Sequence, residues 1–292
     1  MRPFNYEAPK NLDEAVRLLE EAKGDVRPLV GGTDLIDQIR QNRRNPSLVL
    51  DVKRIPETMR LEYIEDEGLH IGSAVPCTDT AAYGPVVKMY TAIREACLLV
   101  GSVAIQNRAS IGGNICNASP SADTVPGMIC HDAKAVVIGP GGRREIPLEK
   151  FFKGPGQHVM EKNEFLLETI VPKPSGSTSS HYLRFIPRNE MDIAVVGAGS
   201  LLELKPGTRL CTKARITLGS VAPTPVRAHS AEKLLEGNEV TEELIFKASE
   251  LAADACNPIS DVRGTIEYRV DLTKVLTRRT LSHCMESLGH SL

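Results

Sequence analysis

The most informative segment of the sequence runs from Ser110 to Pro126. It reads Ser-Ile-Gly-Gly-Asn-Ile-Cys-Asn-Ala-Ser-Pro-Ser-Ala-Asp-Thr-Val-Pro, so a pair of adjacent glycines precedes a series of short polar side chains. Glycine is favoured where the backbone must adopt a conformation or a close approach that a Cβ forbids. The composition argues against a core helix or strand and predicts a backbone wrapped around a ligand with many hydrogen-bonding oxygens. A long surface turn is the alternative.

A second glycine pair lies near the N-terminus. A short predicted strand over residues 27–30 leads into Gly31 and Gly32, and Thr33 and Asp34 then lie where the N-cap of a helix belongs. The free N–H groups and the helix dipole at such a turn favour phosphate, although the Asp34 carboxylate repels it unless it points at amides or sugar hydroxyls. Because a single phosphate needs one such loop, two loops predict a diphosphate held from both sides.

Common nucleotide-binding and catalytic motifs are absent from the sequence. No Gly-x-Gly-x-x-Gly follows a predicted strand, and the chain has no phosphate loop, nucleophile elbow or His-x-x-x-His pair. The seven cysteines are scattered without any Cys-x-x-Cys, which argues against a zinc or iron–sulfur site in this chain. We therefore expect no metal ligands and no catalytic acid, base or nucleophile, and reduced thiols indicate a cytoplasmic protein.

Charge and hydropathy exclude several classes of partner. The chain has 35 basic and 37 acidic residues, a net charge of −2, which argues against nucleic acid and acidic membranes as partners. The N-terminus has no signal-peptide pattern, and the longest apolar stretch, 194–202, is too short to span a bilayer.

The length of 292 residues predicts about two domains. The Pro- and Ser-rich segment 172–180 is the predicted boundary. Before it, a helix from Leu12 leads into a strand–glycine–helix–strand unit that ends near residue 55, and further strands and helices follow. After it, the patterns predict strands near 181–186, 193–204 and 215–221, then helices near 231–236, 242–256 and 265–288. This is an α+β pattern.

Together these motifs resemble the FAD-binding medium subunit of the xanthine dehydrogenase / carbon monoxide dehydrogenase family of molybdenum hydroxylases. The resemblance covers essentially the whole chain and is carried by Gly31–Leu35, Gly101–Val103, Asn107–Pro120, Asp123, Phe152–Gly156, Arg188–Ala194 and Val221–Arg227. It implies a PCMH-type FAD-binding domain over residues 1–175, with lobes of about 1–55 and 56–175. It also implies a C-terminal domain over 176–292, built from a small antiparallel sheet and three helices, with FAD between the two lobes.

The resemblance also implies which residues contact FAD. The expected phosphate contacts are Arg27, Pro28, Leu29, Val30, Gly31, Gly32, Thr33, Asp34, Ser110, Ile111, Gly112, Gly113 and Asn114. Asn117 and Asp123 are expected at the ribityl or ribose groups, Phe165 as an apolar surface beside the flavin, and Arg184 as a fixed positive charge near it. A strand Phe is more often a core residue and a strand Arg more often a solvated one, so these alternatives stay open. The family commonly has Gln at the position of Ala104 and Arg at the position of Gln106. Arg108 is therefore the one basic residue between Gly101 and Ser110 in this sequence.

The function implied by the resemblance is electron transfer. Substrate would be oxidised at the molybdenum cofactor of a large partner subunit, and electrons would pass through [2Fe-2S] clusters of a small partner subunit to FAD in this chain. Reduced FAD would then pass them to NAD+ or another acceptor, in a dimer of heterotrimers. Xanthine is the first choice of substrate, with carbon monoxide, nicotinate and other heterocycles open. A self-contained FAD oxidoreductase and an assembly subunit without flavin are the alternative functions. The benzoyl-coenzyme-A-reducing branch is excluded, because its cysteine-rich insert is missing.

Overall fold

The computed structural model describes residues 2–291, which fold into an α+β arrangement of three main sheets and a small hairpin. The strands are β1 (Asn5–Glu7), β2 (Val26–Leu29), β3 (Leu48–Asp51), β4 (Leu61–Ile64), β5 (Gly68–Gly72), β6 (Lys134–Gly139), β7 (Gly142–Pro147), β8 (Phe152–Gly154), β9 (Gln157–His158), β10 (Phe165–Val171), β11 (Thr178–Phe185), β12 (Val196–Leu204), β13 (Cys211–Gly219) and β14 (Val226–Arg227). The helices are α1 (Leu12–Glu21), α2 (Leu35–Arg40), α3 (Cys77–Ala82), α4 (Gly84–Met89), α5 (Thr91–Leu99), α6 (Val103–Gln106), α7 (Ile111–Asn117), α8 (Thr124–Cys130), α9 (His229–Leu235), α10 (Glu242–Ala253) and α11 (Ile266–Ser287).

The first sheet is parallel and has the strand order β1-β3-β2. Helix α1 precedes β2, and its N-terminus is capped where the sequence predicts, because the Glu14 N–H donates to Asn11 Oδ1 at 2.8 Å. Its buried face carries Ala15 and Leu19 at helical spacing. Since β3 takes the centre, β2 lies at the edge of the sheet and leads directly into the first glycine pair.

The second sheet is antiparallel, with the order β4-β5-β10-β6-β7. Side chains along β6 alternate between its two faces, as the strand period requires. Ala135 and Val137 face the core that contains α3–α8, whereas Val136 and Ile138 face the core that contains α1 and β3. The sheet thus lies between the N-terminal lobe and a layer of helices.

The third sheet is antiparallel, with the order β11-β12-β13-β14, and it packs against α9, α10 and α11. The predicted strands and helices of this half are present, although β11 begins at Thr178, inside the predicted linker. The α+β class, with an antiparallel sheet and three helices in the C-terminal part, is confirmed. The boundary at residue 175 stays a prediction.

Residues 111–117 and 124–126 of the segment 110–126 are helical, so the prediction that no helix forms there was wrong. The segment contains α7, a short turn and the first residues of α8. The cost of glycine in a helix, about 1 kcal/mol, is small enough for packing to offset. Ala118 ends α7 in the left-handed conformation, and Pro126 lies in the first turn of α8, where proline is tolerated.

Helix α8 connects the second sheet to the third. Its Pro126 packs on β12 and β13 where they carry Gly199 and Gly219, and a Cβ at either position would lie 3.2 Å from this proline. None of the helices within residues 2–291 is long and apolar enough to cross a membrane.

Candidate cofactor-binding site

A cleft of about 950 Å³ runs along the edge strand β2. Its walls come from both glycine pairs, from the start of β10 and from residues 191–193, which precede β12. This volume is at the upper end of the range for cofactor sites, roughly 300–1,000 Å³. The cleft can therefore hold a large, elongated ligand.

The first glycine pair forms the bend between β2 and α2. Gly32 has a φ of +77°, a left-handed conformation that glycine adopts without strain. The Ile36 N–H donates to the Gly32 carbonyl at 3.1 Å, which starts the helix. Asp34 occupies the N-cap position, but its side chain accepts no capping hydrogen bond. Desolvation in the cleft wall and the neighbouring Asp37 carboxylate raise the pKa of Asp34.

The second glycine pair lies in the first turn of α7. Ser110 Oγ accepts the Gly113 N–H at 3.0 Å and so caps the helix. Gly112 packs on the backbone of Ser73, since an added Cβ would lie 2.5 Å from the Ser73 carbonyl oxygen. Asn114 Oδ1 accepts from the Thr124 hydroxyl at 2.6 Å; because Asn114 lines the cleft, the NH₂ of its amide is available to a ligand.

The two bends are in direct contact. An added Cβ at Gly31 would lie 2.1 Å from the carbonyl oxygen of Arg108, two residues before Ser110. One at Gly113 would lie 3.1 Å from Val30 Cγ2. The bends therefore meet side by side in the cleft wall, as a diphosphate held from both sides requires.

A polar chain links α2 to α7 along the cleft wall. Gln38 Nε2 donates to Asn117 Oδ1 at 3.2 Å, and Arg44 Nε donates to Gln38 Oε1 at 2.7 Å. The sequence prediction includes Asn117 but misses Gln38 and Arg44. Gln38 lies four residues after Asp34, on the same helix face, and this spacing is the signal that could have identified it.

Most of the predicted site residues line the cleft. They are Arg27, Pro28, Val30, Gly31, Gly32, Thr33, Asp34, Ser110, Gly112, Gly113, Asn114, Asn117 and Phe165. Leu29 and Ile111 do not line it; Ile111 is a buried core residue. Phe165 is only 1% exposed and belongs to the core between the first two sheets. It therefore contributes to the cleft wall as a core residue.

Asp123 and Arg184 contact each other and do not line the cleft. Arg184 donates to Asp123 Oδ2 at 2.5 Å, and the Tyr182 hydroxyl donates to Asp123 Oδ1 at 2.9 Å. Burial raises the pKa of Asp123 to about 6, against the lowering effect of Arg184 and Tyr182. The pair joins the start of α8 to β11, and Thr124, the residue after Asp123, donates its hydroxyl to Asn114 of the cleft wall.

Two further wall segments were missed. Residues 158–162 begin at the last residue of β9 and contribute His158 and Met160, and residues 191–193 contribute Met191 and Ile193, which are about half exposed. The sequence prediction noted segment 188–194 without assigning it a contact. Neither segment has a regular spacing that marks it as part of a site.

The cleft fits FAD in its shape and chemistry. At Gly31 and Gly112 of the two bends an added side chain would collide with backbone, and at Gly32 and Gly113 it would crowd neighbouring side chains. The other walls combine apolar surface from Phe165, Met160 and Ile193 with amides from Asn114 and Asn117. Apolar walls suit a ring system, and amides suit the hydroxyls of ribityl and ribose groups.

Comparisons with known proteins agree with this geometry. A family model described as the FAD binding domain in molybdopterin dehydrogenase matches residues 2–174, and one described as the CO dehydrogenase flavoprotein C-terminal domain matches residues 181–284. The carbon monoxide dehydrogenase medium chain of Hydrogenophaga pseudoflava is 31% identical over 281 residues, covering 96% of each protein. The xanthine dehydrogenase FAD-binding subunit of Escherichia coli O157:H7 is 28% identical over 289 residues, covering 99% of this chain and 98% of that relative. A solved structure of the H. pseudoflava carbon monoxide dehydrogenase superposes with a TM-score of 0.92 at 30% identity, over 98% of both chains.

Proposed function

The chain belongs to the family of FAD-binding medium subunits of the molybdenum hydroxylases, and on that premise we propose that it relays electrons between two partners. The donor is the pair of [2Fe-2S] clusters of a small subunit, which receives electrons from the molybdenum centre of a large subunit. The acceptor is NAD+ or another small oxidant. We place the complex in the cytoplasm as a dimer of heterotrimers, and the seven free thiols support that compartment.

The direct contact between the two glycine bends carries this proposal. Gly31 packs against the backbone at Arg108, so the two bends lie side by side in the cleft wall, and two adjoining glycine bends that each lead into a helix suit a diphosphate. Bound FAD supplies the electron chemistry of the subunit. The residues of this chain bind and orient it, and none of them has to act as an acid, base or nucleophile.

We propose that the predicted residues lining the cleft contact FAD directly. Asn114 donates to its phosphate groups, Asn117 donates to a ribityl or ribose hydroxyl, and Phe165 supports the flavin ring. For Asp123 and Arg184 we propose an indirect effect. Their ion pair fixes α8 against β11 and so holds the wall on which the cofactor rests.

The test is flavin retention by the complex purified with its partner subunits. Gly32→Asp and Gly113→Asp place a carboxylate at the glycine bends, where it repels the diphosphate. Both should reduce bound flavin, measured by its absorbance per protein, to below a tenth of wild type. Gly141→Asp is the matched control, because Gly141 has nothing within 4 Å of an added Cβ and does not line the cleft. A wild-type complex without flavin, or two glycine-bend variants that keep it, would refute the proposal.

The substrate is a finer proposal, and we take a purine such as xanthine first. The relatives named for carbon monoxide and for xanthine are 31% and 28% identical to this chain, a difference too small to choose between them. The deciding experiment is anaerobic flavin bleaching in the whole complex with xanthine, carbon monoxide and nicotinate in turn. If carbon monoxide alone bleaches the flavin, then carbon monoxide, and not xanthine, is the substrate of the complex. Bleaching of the isolated chain by an organic donor would indicate a self-contained oxidoreductase.

A further inference from the structure

A serine, a histidine and a glutamate are joined by hydrogen bonds at the surface, outside the cofactor cleft. His181 Nε2 lies 2.9 Å from Ser287 Oγ, and His181 Nδ1 lies 2.9 Å from Glu95 Oε1. Because the Glu95 carboxylate accepts the N–H of Nδ1, Nε2 is left to accept the hydroxyl of Ser287. This is the order of a nucleophile, a base and a carboxylate that orients the base. None of the three residues lines the cleft, and the electron relay does not use them.

Three separate elements supply these side chains and fix them. Glu95 lies in α5, His181 in β11, and Ser287 is the last residue of α11. Glu95 is held from a second side, because its Oε2 accepts the Tyr182 N–H at 2.7 Å. The ring of His283, one turn before Ser287 on α11, packs edge-on against the ring of His181 with the centroids 5.5 Å apart. The imidazole of His181 is therefore oriented by contacts with both α5 and α11.

The serine is more accessible to solvent than its two partners. Ser287 is exposed, whereas the side chains of His181 and Glu95 are only 13% and 29% exposed. A second serine–histidine pair has Ser180 Oγ 2.8 Å from His131 Nε2, but both of these residues are buried. A reagent from solution can therefore reach Ser287 and not Ser180.

The end of α11 favours one charge of a reaction at Ser287 and disfavours the other. If His181 takes the proton of the serine, the Glu95 carboxylate and the negative end of the helix dipole stabilise the imidazolium. The same dipole disfavours an oxyanion. The N–H groups of residues 288–290 already donate to carbonyls of α11, so these amides do not form an oxyanion hole, which is worth roughly 100- to 1,000-fold in rate per donor. Ser287 should therefore react only with acyl donors that have a good leaving group.

We propose that Ser287 is an activated serine and a modification site, which activated acyl donors such as aryl esters and thioesters acylate. Its Oγ forms a bond with the acyl carbon while the bond between that carbon and the leaving group breaks. The proton of the serine moves to His181 Nε2 and from there to the departing phenolate or thiolate, so the reaction needs no further reactant. The product is an ester on Ser287. This inference does not rest on FAD binding.

The experiment is acetylation of the complex, purified with its partner subunits, by 4-nitrophenyl acetate, followed residue by residue by mass spectrometry. Ser230 is the internal control, since it is an exposed serine of α9 whose hydroxyl has no histidine partner in residues 2–291. We expect Ser287 to react about tenfold or more faster than Ser230, because a positioned base contributes on the order of 100-fold or more.

Two variants test the role of the partners. His181→Gln removes the base, and Glu95→Gln removes the charge that orients it, while its amide oxygen can still accept the Tyr182 N–H. Each should slow acetylation of Ser287 by about tenfold or more and leave Ser230 unchanged. The wild-type rate at Ser287 should fall toward acid pH as the imidazole takes up a proton, and this dependence should disappear in His181→Gln.

The results separate this inference from the proposed function. Flavin absorbance and the denaturation midpoint show whether each variant is folded, and Glu95→Gln decides the question if His181→Gln does not fold. Acetylation of Ser287 no faster than that of Ser230, or an unchanged rate in a folded variant of His181 or Glu95, would overturn the inference and leave the flavin result intact. A wild-type complex that lacks flavin but acetylates Ser287 rapidly would support the inference and refute the proposed function alone.

Discussion

The first glycine pair combines a close approach with a left-handed turn, whereas both glycines of the second pair lie in a helix. Gly31 and Gly112 are alike, because each packs against a carbonyl oxygen of a neighbouring segment. Gly32 and Gly113 differ, since Gly32 has a φ of +77° and Gly113 takes part in the first turn of α7. Adjacent glycines in a sequence therefore do not identify one backbone shape. For each glycine, the reason that the position requires glycine must be identified separately: a close approach of backbone, a left-handed conformation or the space that a ligand needs.

Among these substitutions, Gly31→Ala should lower the stability of the protein most. Its Cβ would lie 2.1 Å from the Arg108 carbonyl oxygen, and backbone on both sides cannot move without separating the bends. We expect a loss of about 3 kcal/mol in the free energy of unfolding, as for a forced overpacking, and loss of flavin. Denaturant titration measures the first and absorbance the second. Gly141→Ala, which meets nothing within 4 Å, is the control.

Gly112→Ala should be nearly as costly. The contact with the Ser73 carbonyl, at 2.5 Å from an added Cβ, is again with backbone. Alanine is the better helix former by about 1 kcal/mol, so the net loss should be about 2 kcal/mol. A stability equal to wild type in denaturant titration would show that the second bend tolerates a side chain. Gly112 would then differ from Gly31, for which close packing on backbone requires glycine.

Gly32→Ala tests whether the left-handed backbone conformation at Gly32, and not close contact with neighbouring atoms, is what requires glycine. The left-handed backbone costs alanine about 1–2 kcal/mol, while the nearest atom, Leu29 Cδ1 at 2.9 Å, belongs to a flexible side chain. Gly156→Ala provides the comparison, because Gly156 has a φ of +68° with no atom nearby. Similar losses in the two variants would assign the cost to φ alone. A much larger loss at Gly32 would assign it to crowding.

Much of the fold was predictable because its signals are local. The cap at Asn11, the strand before Gly31 and the helices of the C-terminal half all follow from residues within one element. The helix at 111–117 was missed because its Gly112 packs against the backbone of Ser73, a contact that the sequence does not display. The bonds of Gln38 with Asn117 and of Arg184 with Asp123 likewise join residues 79 and 61 positions apart. Such contacts depend on the tertiary fold, and only the family resemblance assigns Asp123 and Arg184 to the cofactor, because the sequence does not display that they pair with each other.

Ser110→Ala should have a moderate effect on the second bend alone. It removes the oxygen that accepts the Gly113 N–H, and loss of such a cap costs about 1 kcal/mol. Thr241→Ala removes the equivalent cap of α10, which does not line the cleft, and should cost a similar amount. Only the Ser110 variant should also reduce flavin retention. Equal retention in the two variants would mean that the start of α7 does not contribute to binding.

Gly113→Ala should change stability least and separates folding from binding most clearly. Its Cβ would meet only side chains, Val30 Cγ2 at 3.1 Å and Ser110 Oγ at 3.2 Å. The better helix propensity of alanine offsets this crowding, so we expect a change within about 0.5 kcal/mol of wild type. Gly113 nonetheless lines the cleft, and a methyl group there occupies space that the diphosphate needs. Retention of flavin should therefore fall while the denaturation midpoint stays constant. A variant that binds flavin like wild type would show that this glycine serves helix packing alone, and only the first bend would then need its glycines for the cofactor.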